Sequence, residues 1–202
     1  YDDVSADWCE WTYDEERMRN PYSRLESSAI VLATHHGYLS TLQNMNAAKS
    51  SVSNVFRVER LFGSWNDSGK FCARAAEGGH LEMLKWLRES GRCEWNERTC
   101  SFAARGGHLE VLRWARENGC PWDKYICWRA ASGGHLEVLQ WLREKGCPWN
   151  ERTCSRAAEG DRLEVLKWAR ENGCPWGEMT CLNAAEGGHL EVLKGARENG
   201  CP

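Results

Sequence analysis

Cysteine and histidine are the residue types in this chain whose spacing is regular enough to do chemistry. There are 11 cysteines in 202 residues. Ten fall on a lattice: Cys72, Cys100, Cys127, Cys154 and Cys181 open a repeated unit, and Cys93, Cys120, Cys147, Cys174 and Cys201 sit beside a turn within it, while Cys9 stands apart. Such an array suits a disulfide framework, a metal array or thiol exchange. Pairs such as Cys120/Cys127 and Cys147/Cys154 lie seven apart, which matches none of the C-x2-C zinc spacings. The plainer reading is that Cys serves here as a small buried hydrophobe. It makes the thiols free and points to a reducing intracellular compartment, cytoplasmic or, after loss of a targeting peptide, organellar. The sequon Asn66-Asp67-Ser68 is then a chance match.

His80, His108, His135 and His189 also recur, once per unit. Equivalent atoms of neighbouring units are separated by about one helix-packing distance, ~8–10 Å, too far to share a metal at ~2.1 Å. Arg162 replaces His in one unit while the rest of its pattern persists, so a structural role between helices is expected. Gly63–Lys70 has five residues between its glycines and Phe71 where a phosphate loop needs Ser or Thr, so it is rejected as one. No Ser-His-Asp or Cys-His constellation stands outside the lattice. No catalytic residue, cofactor or metal is expected. The formal net charge of −3, with acids and bases interleaved, gives no basic footprint for nucleic acid. The longest aliphatic run, Ala29–Ala33, is far short of the ~20 residues of a membrane span.

The elements that position these residues follow from the period. The opening cysteines are 28, 27, 27 and 27 residues apart, which means stacked supersecondary units. In one unit, Thr99-Cys100-Ser101 is read as the N-cap region of a very short first helix, Phe102–Arg105. Gly106-Gly107 breaks it. His108–Asn118 reads as a second helix, with Leu109, Leu112 and Ala115 on one face and Val111 and Trp114 widening the stripe. Gly119 suits a left-handed helix end, Pro121 blocks resumption, and Trp122 is expected to fold back over the helix pair. The Ala-Ala pair lets short helices of neighbouring units approach to about 8 Å.

These residues resemble the ankyrin repeat. Arg152-Thr-Cys-Ser-Arg-Ala-Ala158 sits at the family's T-P-L-H-x-A-A motif, with Cys154 in place of its Leu, and Gly134-His-Leu-Glu-Val-Leu139 matches its Gly-His helix start. The unit is about six residues shorter than the usual 33, so the family's hairpin finger is expected to shrink to a tight loop. The resemblance covers Cys72 to Pro202. It implies an all-α, ankyrin-like solenoid of stacked helix-turn-helix repeats, non-enzymatic, binding protein partners through inner helices and loop tips, as a scaffold or accessory subunit of a multi-subunit complex. The alternatives are a recruitment adaptor with its effector elsewhere, or a thiol-rich redox or metal-buffering protein.

Ahead of the repeats, residues 29–71 read as one divergent capping repeat: Gly37, Leu39 and Leu42 echo Gly79, Leu81 and Leu84. Residues 1–28 form an arm whose first sixteen residues hold seven acids, no base, and Trp8 and Trp11 among the aromatics. Such a stretch builds no core of its own. The chain starts at Tyr1 and stops at Cys201-Pro202, where earlier units run on into Trp, so both ends read as cut.

Positions that stay fixed between units build the stack, and positions that change can read a partner. The changing positions are Ser101-Phe102, Trp128-Arg129, Ser155-Arg156 and Leu182-Asn183, then Glu77, Arg105, Ser132, Glu159 and Glu186, then the loops around Asp123–Ile126, Asn150–Arg152 and Gly177–Met179. From these, Phe102, Arg105, Tyr125, Trp128, Arg129, Arg152, Arg156, Met179 and Asn183, with Trp8 and Trp11 of the arm, are the candidate protein-binding residues. Aromatic and Arg side chains are the types that anchor interfaces.

Overall fold

The structure, a computed structural model, describes residues 34–40, 43, 69–89 and 94–201. The arm with Trp8 and Trp11, and most of the expected capping repeat, lie outside the described residues. The chain divides into two compact units, Tyr1–Trp95 and Asn96–Pro202. Among the described residues all regular structure is helical.

The first unit contains α1 (Gly69–Glu77) and α2 (Leu81–Glu89). The second contains four helix pairs: α3 (Glu97–Gly106) and α4 (Leu109–Glu117), α5 (Ile126–Gly133) and α6 (Leu136–Glu144), α7 (Glu151–Glu159) and α8 (Leu163–Glu171), α9 (Glu178–Glu186) and α10 (Leu190–Glu198). The inner helices α3, α5, α7 and α9 stack in sequence order, and each packs on its own outer partner. This is the expected helix-turn-helix solenoid. No strand occupies the Cys-Pro-Trp connections, which are tight loops.

The inner helix is longer than the sequence suggests, and it starts earlier. Asn96, not the Thr99–Ser101 segment, is the cap of α3: its Oδ1 accepts the Arg98 N–H at 2.9 Å. Asn150 does the same for α7 through Arg152 N–H at 3.1 Å, and Asp123 accepts from Tyr125 N–H at 2.9 Å ahead of α5. A side-chain acceptor two residues before the first free N–H satisfies one of the orphan donors of the first turn. Thr99 lies instead inside the helix and fully buried. The outer helix agrees with expectation within a residue. Val111, Leu112 and Ala115 are buried, but Leu109 is only half-buried at the helix start. Gly119 ends α4 at φ 82°. Two bonds close that end, Gly119 N–H to Arg116 O at 3.1 Å and Cys120 N–H to Ala115 O at 2.9 Å.

Neighbouring repeats meet where the inner helix turns into the outer one. Gly107 has φ 80°, and a Cβ built there would come within 2.4 Å of the His135 ring of the next repeat. A larger residue is excluded both by backbone conformation and by the ring. The same histidine position links repeats by a hydrogen bond: His189 Nε2–H donates to Glu159 O at 3.0 Å. Within the first unit His80 Nε2–H donates to His35 O at 2.6 Å, and its ring lies against Gly37, φ 74°. Burial lowers the pKa of His135 below its ordinary 6.5, against a raising hydrogen bond to Arg105.

The loop tryptophans do fold back. Arg116 lies 4.4 Å from the Trp122 ring centroid and donates to Cys120 O at 3.1 Å. Arg143 over Trp149 at 4.2 Å and Arg170 over Trp176 at 4.7 Å repeat the stacking. Each loop Trp then meets the outer-helix Trp of the following repeat edge-on, Trp122 with Trp141 at 5.9 Å and Trp149 with Trp168 at 5.8 Å. The series breaks at Gly195, which takes the place of that outer Trp. A groove of about 50 Å3 opens there, lined by Leu163, Leu166 and Trp176 among others.

The cysteine expectation needs one correction. Cys100, Cys120, Cys127, Cys147, Cys154, Cys174, Cys181 and Cys201 are free thiols, buried except for half-buried Cys181. Cys72 is buried but disulfide-bonded. The opening position therefore holds a small apolar side chain without excluding its oxidation.

Three outcomes follow from this packing. Ala131 is fully buried between stacked helices, so Ala131→Leu is expected to lower stability by ~1–3 kcal/mol through overpacking, read as a fall in Tm; an unchanged Tm would rule out close stacking. Gly195→Trp is expected to raise Tm, because better helix propensity and an edge-on partner for Trp176 each contribute about 0.5–1 kcal/mol. The only close neighbour of a Cβ there is the flexible tip of Leu163, at 3.2 Å. A lower Tm would show that the Trp row does not hold the outer helices. Because folded His135 resists protonation, its contribution is present above 6.5 and is lost as pH falls through that value toward the lowered folded pKa. Urea midpoints at about pH 7.5 and 5 should therefore differ less in His135→Gln than in the parent chain.

Candidate functional site

The inner helices place the changing positions side by side. Phe102 on α3, Arg129 on α5, Arg156 on α7 and Asn183 on α9 are 27 residues apart. They therefore occupy one register on successive stacked helices. Trp128 joins this row from the adjacent position. The Arg129 guanidinium lies 5.7 Å from the Phe102 ring and 4.4 Å from the Trp128 ring. On its other side Trp128 meets Arg156 at 5.3 Å. Arg156 is also ion-paired with Glu159, one turn further along α7. Tyr125 stands at the loop end of the row, edge-on to Trp128 at 6.3 Å and beneath Lys124 Nζ at 5.2 Å.

This alternation of rings and guanidiniums fixes long side chains that would otherwise be costly to order. Each cation–ring contact contributes about 0.5–2 kcal/mol depending on solvation. A guanidinium stacked by its face presents its N–H edge, the part that pairs with carboxylates. The arrangement is thus a preorganised, part-aromatic, part-cationic strip with no nucleophile in it.

Candidate residues differ in how they stand. Arg105, Arg152 and Met179 are exposed, Met179 at 54%. Tyr125 is exposed at 36%, and Phe102, Trp128 and Arg129 are half-buried in the row. Asn183 is half-buried, and its Nδ2 donates to Ser155 O at 3.1 Å, joining α9 to α7. Ser101 and Ser155, which change between units, are buried and serve packing. Two members absent from the candidate residues belong to the site, Lys124 and Glu159. The signal for Glu159 was its i,i+3 spacing from Arg156. Among the described residues no cluster of His, Cys, Asp or Glu could hold a metal ion, and no helix is long and apolar enough to cross a membrane.

Stacked helix pairs of this size, joined by tight glycine turns, define a helical repeat solenoid. A family model described as ankyrin repeats (many copies) matches residues 72–116. The crystal structure of the human ASB11 ankyrin repeat domain superposes with a TM-score of 0.57 and 18% identity, covering 86% of this chain and 84% of that one, a likeness of fold. No curated protein matches the chain. The chain is thus similar to ankyrin repeats, in sequence over residues 72–116 and in fold over most of its length, and such repeats generally mediate protein–protein interaction.

Proposed function

We propose that this protein is a non-enzymatic interaction module, a scaffold or accessory subunit of a larger assembly, that grips a protein partner through the inner-helix strip centred on Trp128. The observation that carries this is the Phe102–Arg129–Trp128–Arg156 row. It concentrates large anchoring side chains at positions that the repeats do not share. Interface hot spots are enriched in these residue types. The arm of residues 1–28, with Trp8 and Trp11, is proposed as a second contact. Residues 29–71 are proposed as a capping repeat; the packing of His80 on Gly37, like that of His135 on Gly107, supports this.

The test is quantitative co-purification with the full chain. Tyr125→Ala/Trp128→Ala/Arg129→Ala is expected to keep its helical circular-dichroism spectrum and to weaken capture of the specific partner by at least about thirtyfold, as loss of hot spots does. Glu137→Gln with Glu164→Gln, on exposed faces of α6 and α8, should change capture little, since exposed charges contribute at most ~1 kcal/mol. The reverse ranking would move the site to the outer helices.

A further inference from the structure

Each repeat of the second unit holds two thiols that the proposed binding strip does not use. One lies in the inner helix, at Cys100, Cys127, Cys154 or Cys181. The other lies at the turn after the outer helix, at Cys120, Cys147, Cys174 or Cys201. They are twenty residues apart in sequence, and folding brings them together. Cys100 Sγ is 3.9 Å from the carbonyl oxygen of Cys120, and Cys127 Sγ is 4.0 Å from that of Cys147. In the other direction Cys120 Sγ lies 3.5 Å from Asn96 O, Cys174 Sγ 3.4 Å from Asn150 O and Cys201 Sγ 3.6 Å from Gly177 O, each carbonyl four residues ahead of the inner-helix cysteine of the same pair. The turn cysteine is held from behind: Cys147 N–H donates to Leu142 O at 3.0 Å, and Arg143 donates to Cys147 O. Cys72 has the same opening position in the α1–α2 repeat and is already disulfide-bonded.

We propose that Cys100/Cys120, Cys127/Cys147, Cys154/Cys174 and Cys181/Cys201 are intra-repeat disulfide sites, closed by exchange with a small-molecule disulfide such as oxidised glutathione. The stack then exists in a reduced form and in a form stapled once in every one of these repeats. The inference is independent of which partner the inner strip binds.

The exchange balances. The turn thiolate attacks one sulfur of the oxidant, whose S–S bond breaks, and the departing thiolate takes a proton. The inner-helix cysteine gives up its proton and its sulfur attacks the mixed disulfide, releasing the second thiol. Two protein S–H bonds become one S–S bond, and two electrons and two protons pass to the oxidant. The environment assigns the roles. The Cys147 thiol is lowered by the hydrogen bond from Cys127 and by Arg143, against burial, whereas that same bond, with burial, pushes Cys127 up. Cys174 and Cys154 divide in the same way. In these two pairs the turn cysteine is thus the attacking group and the helix cysteine the resolving one, whereas burial pushes the Cys201 thiol up to about 11, so no such order is assigned at Cys181/Cys201. All of these thiols except Cys181 are buried, so exchange takes place during folding or on local opening of the turn.

The experiment refolds the full reduced chain in a glutathione redox buffer, with a parallel sample lacking oxidant. It reads helical spectrum, intact mass and a non-reducing peptide map. The expected result is a helical chain in which the eight thiols free here fall to none. Those four bonds lower the mass by about 8 Da, two hydrogens each, and each of the four joins cysteines twenty apart. Cys127→Ala and, separately, Cys154→Ala each lose one bond and leave Cys147 or Cys174 as a glutathione adduct. Any of these eight thiols staying reduced, links between different repeats of the second unit, or a chain that regains its helical spectrum only without oxidant each overturn the proposal.

Discussion

The helix pairs of the second unit approach one another so closely that a single methyl group decides whether they can stack. The alanines at the contact, Ala103, Ala104, Ala130, Ala131, Ala157 and Ala158, are wholly buried. At the turn beside them, the next repeat's side chain lies directly on a glycine. His135 covers Gly107, and Arg162 covers Gly134 with its aliphatic stem, Cδ standing 2.6 Å from where a Cβ would be. The substitution of Arg for His is therefore intelligible. What the position requires is a flat or extended group that can lie along a bare backbone, and both residues supply one. A metal ligand would have no such interchange.

The outer side of the stack depends on a second, looser device. In the second unit each repeat ends on a left-handed glycine; Arg116 and Arg143 reach the turn carbonyl while stacking on the loop Trp, Arg170 stacks on Trp176, and Arg197 donates to Cys201 O. One guanidinium thus satisfies an orphan helix-end acceptor and fixes an indole. Because the loop is anchored by these groups, it needs no hairpin, and the repeat can be short. Where the outer Trp is missing, at Gly195, the row leaves a groove without disturbing the helix.

Much of this was legible in the sequence. The period, the Ala-Ala pair, the Gly-Gly break, the outer-helix limits and the left-handed Gly119 all follow from local rules. The inner-helix start was not, because its cap residue lies ahead of the first apolar position; Asn96 and Asn150 read as loop until their bonds to Arg98 and Arg152 are seen. Differences between repeats found the row of Trp128, Arg129 and Arg156, yet could not separate it from Ser101 and Ser155, which change but are buried. Nor could they reveal that the amide of Asn183 is bonded to Ser155. The cysteines were weighed by their nearest spacing, seven, across two repeats. The relevant neighbour is twenty residues away in the same repeat, and only the return of the outer helix brings it close.

The proposed disulfide pairs and the proposed binding strip share one piece of backbone. Cys127 immediately precedes Trp128 and Arg129, and Cys154 is two residues before Arg156. The sulfur of each cysteine is buried against its own turn, while Trp128 and Arg129 are half-buried and Arg156 is exposed. A bond at Cys127 would tie the first turn of α5 to the turn after α6, and so restrain the backbone that aims Trp128 and Arg129. Association is costly chiefly in the ordering of such groups. A stapled repeat loses less freedom on binding than a reduced one, without any new contact to the partner. Under the two proposals together, the redox state of the buried pair would set the affinity of the strip, through the few residues of helix that carry both.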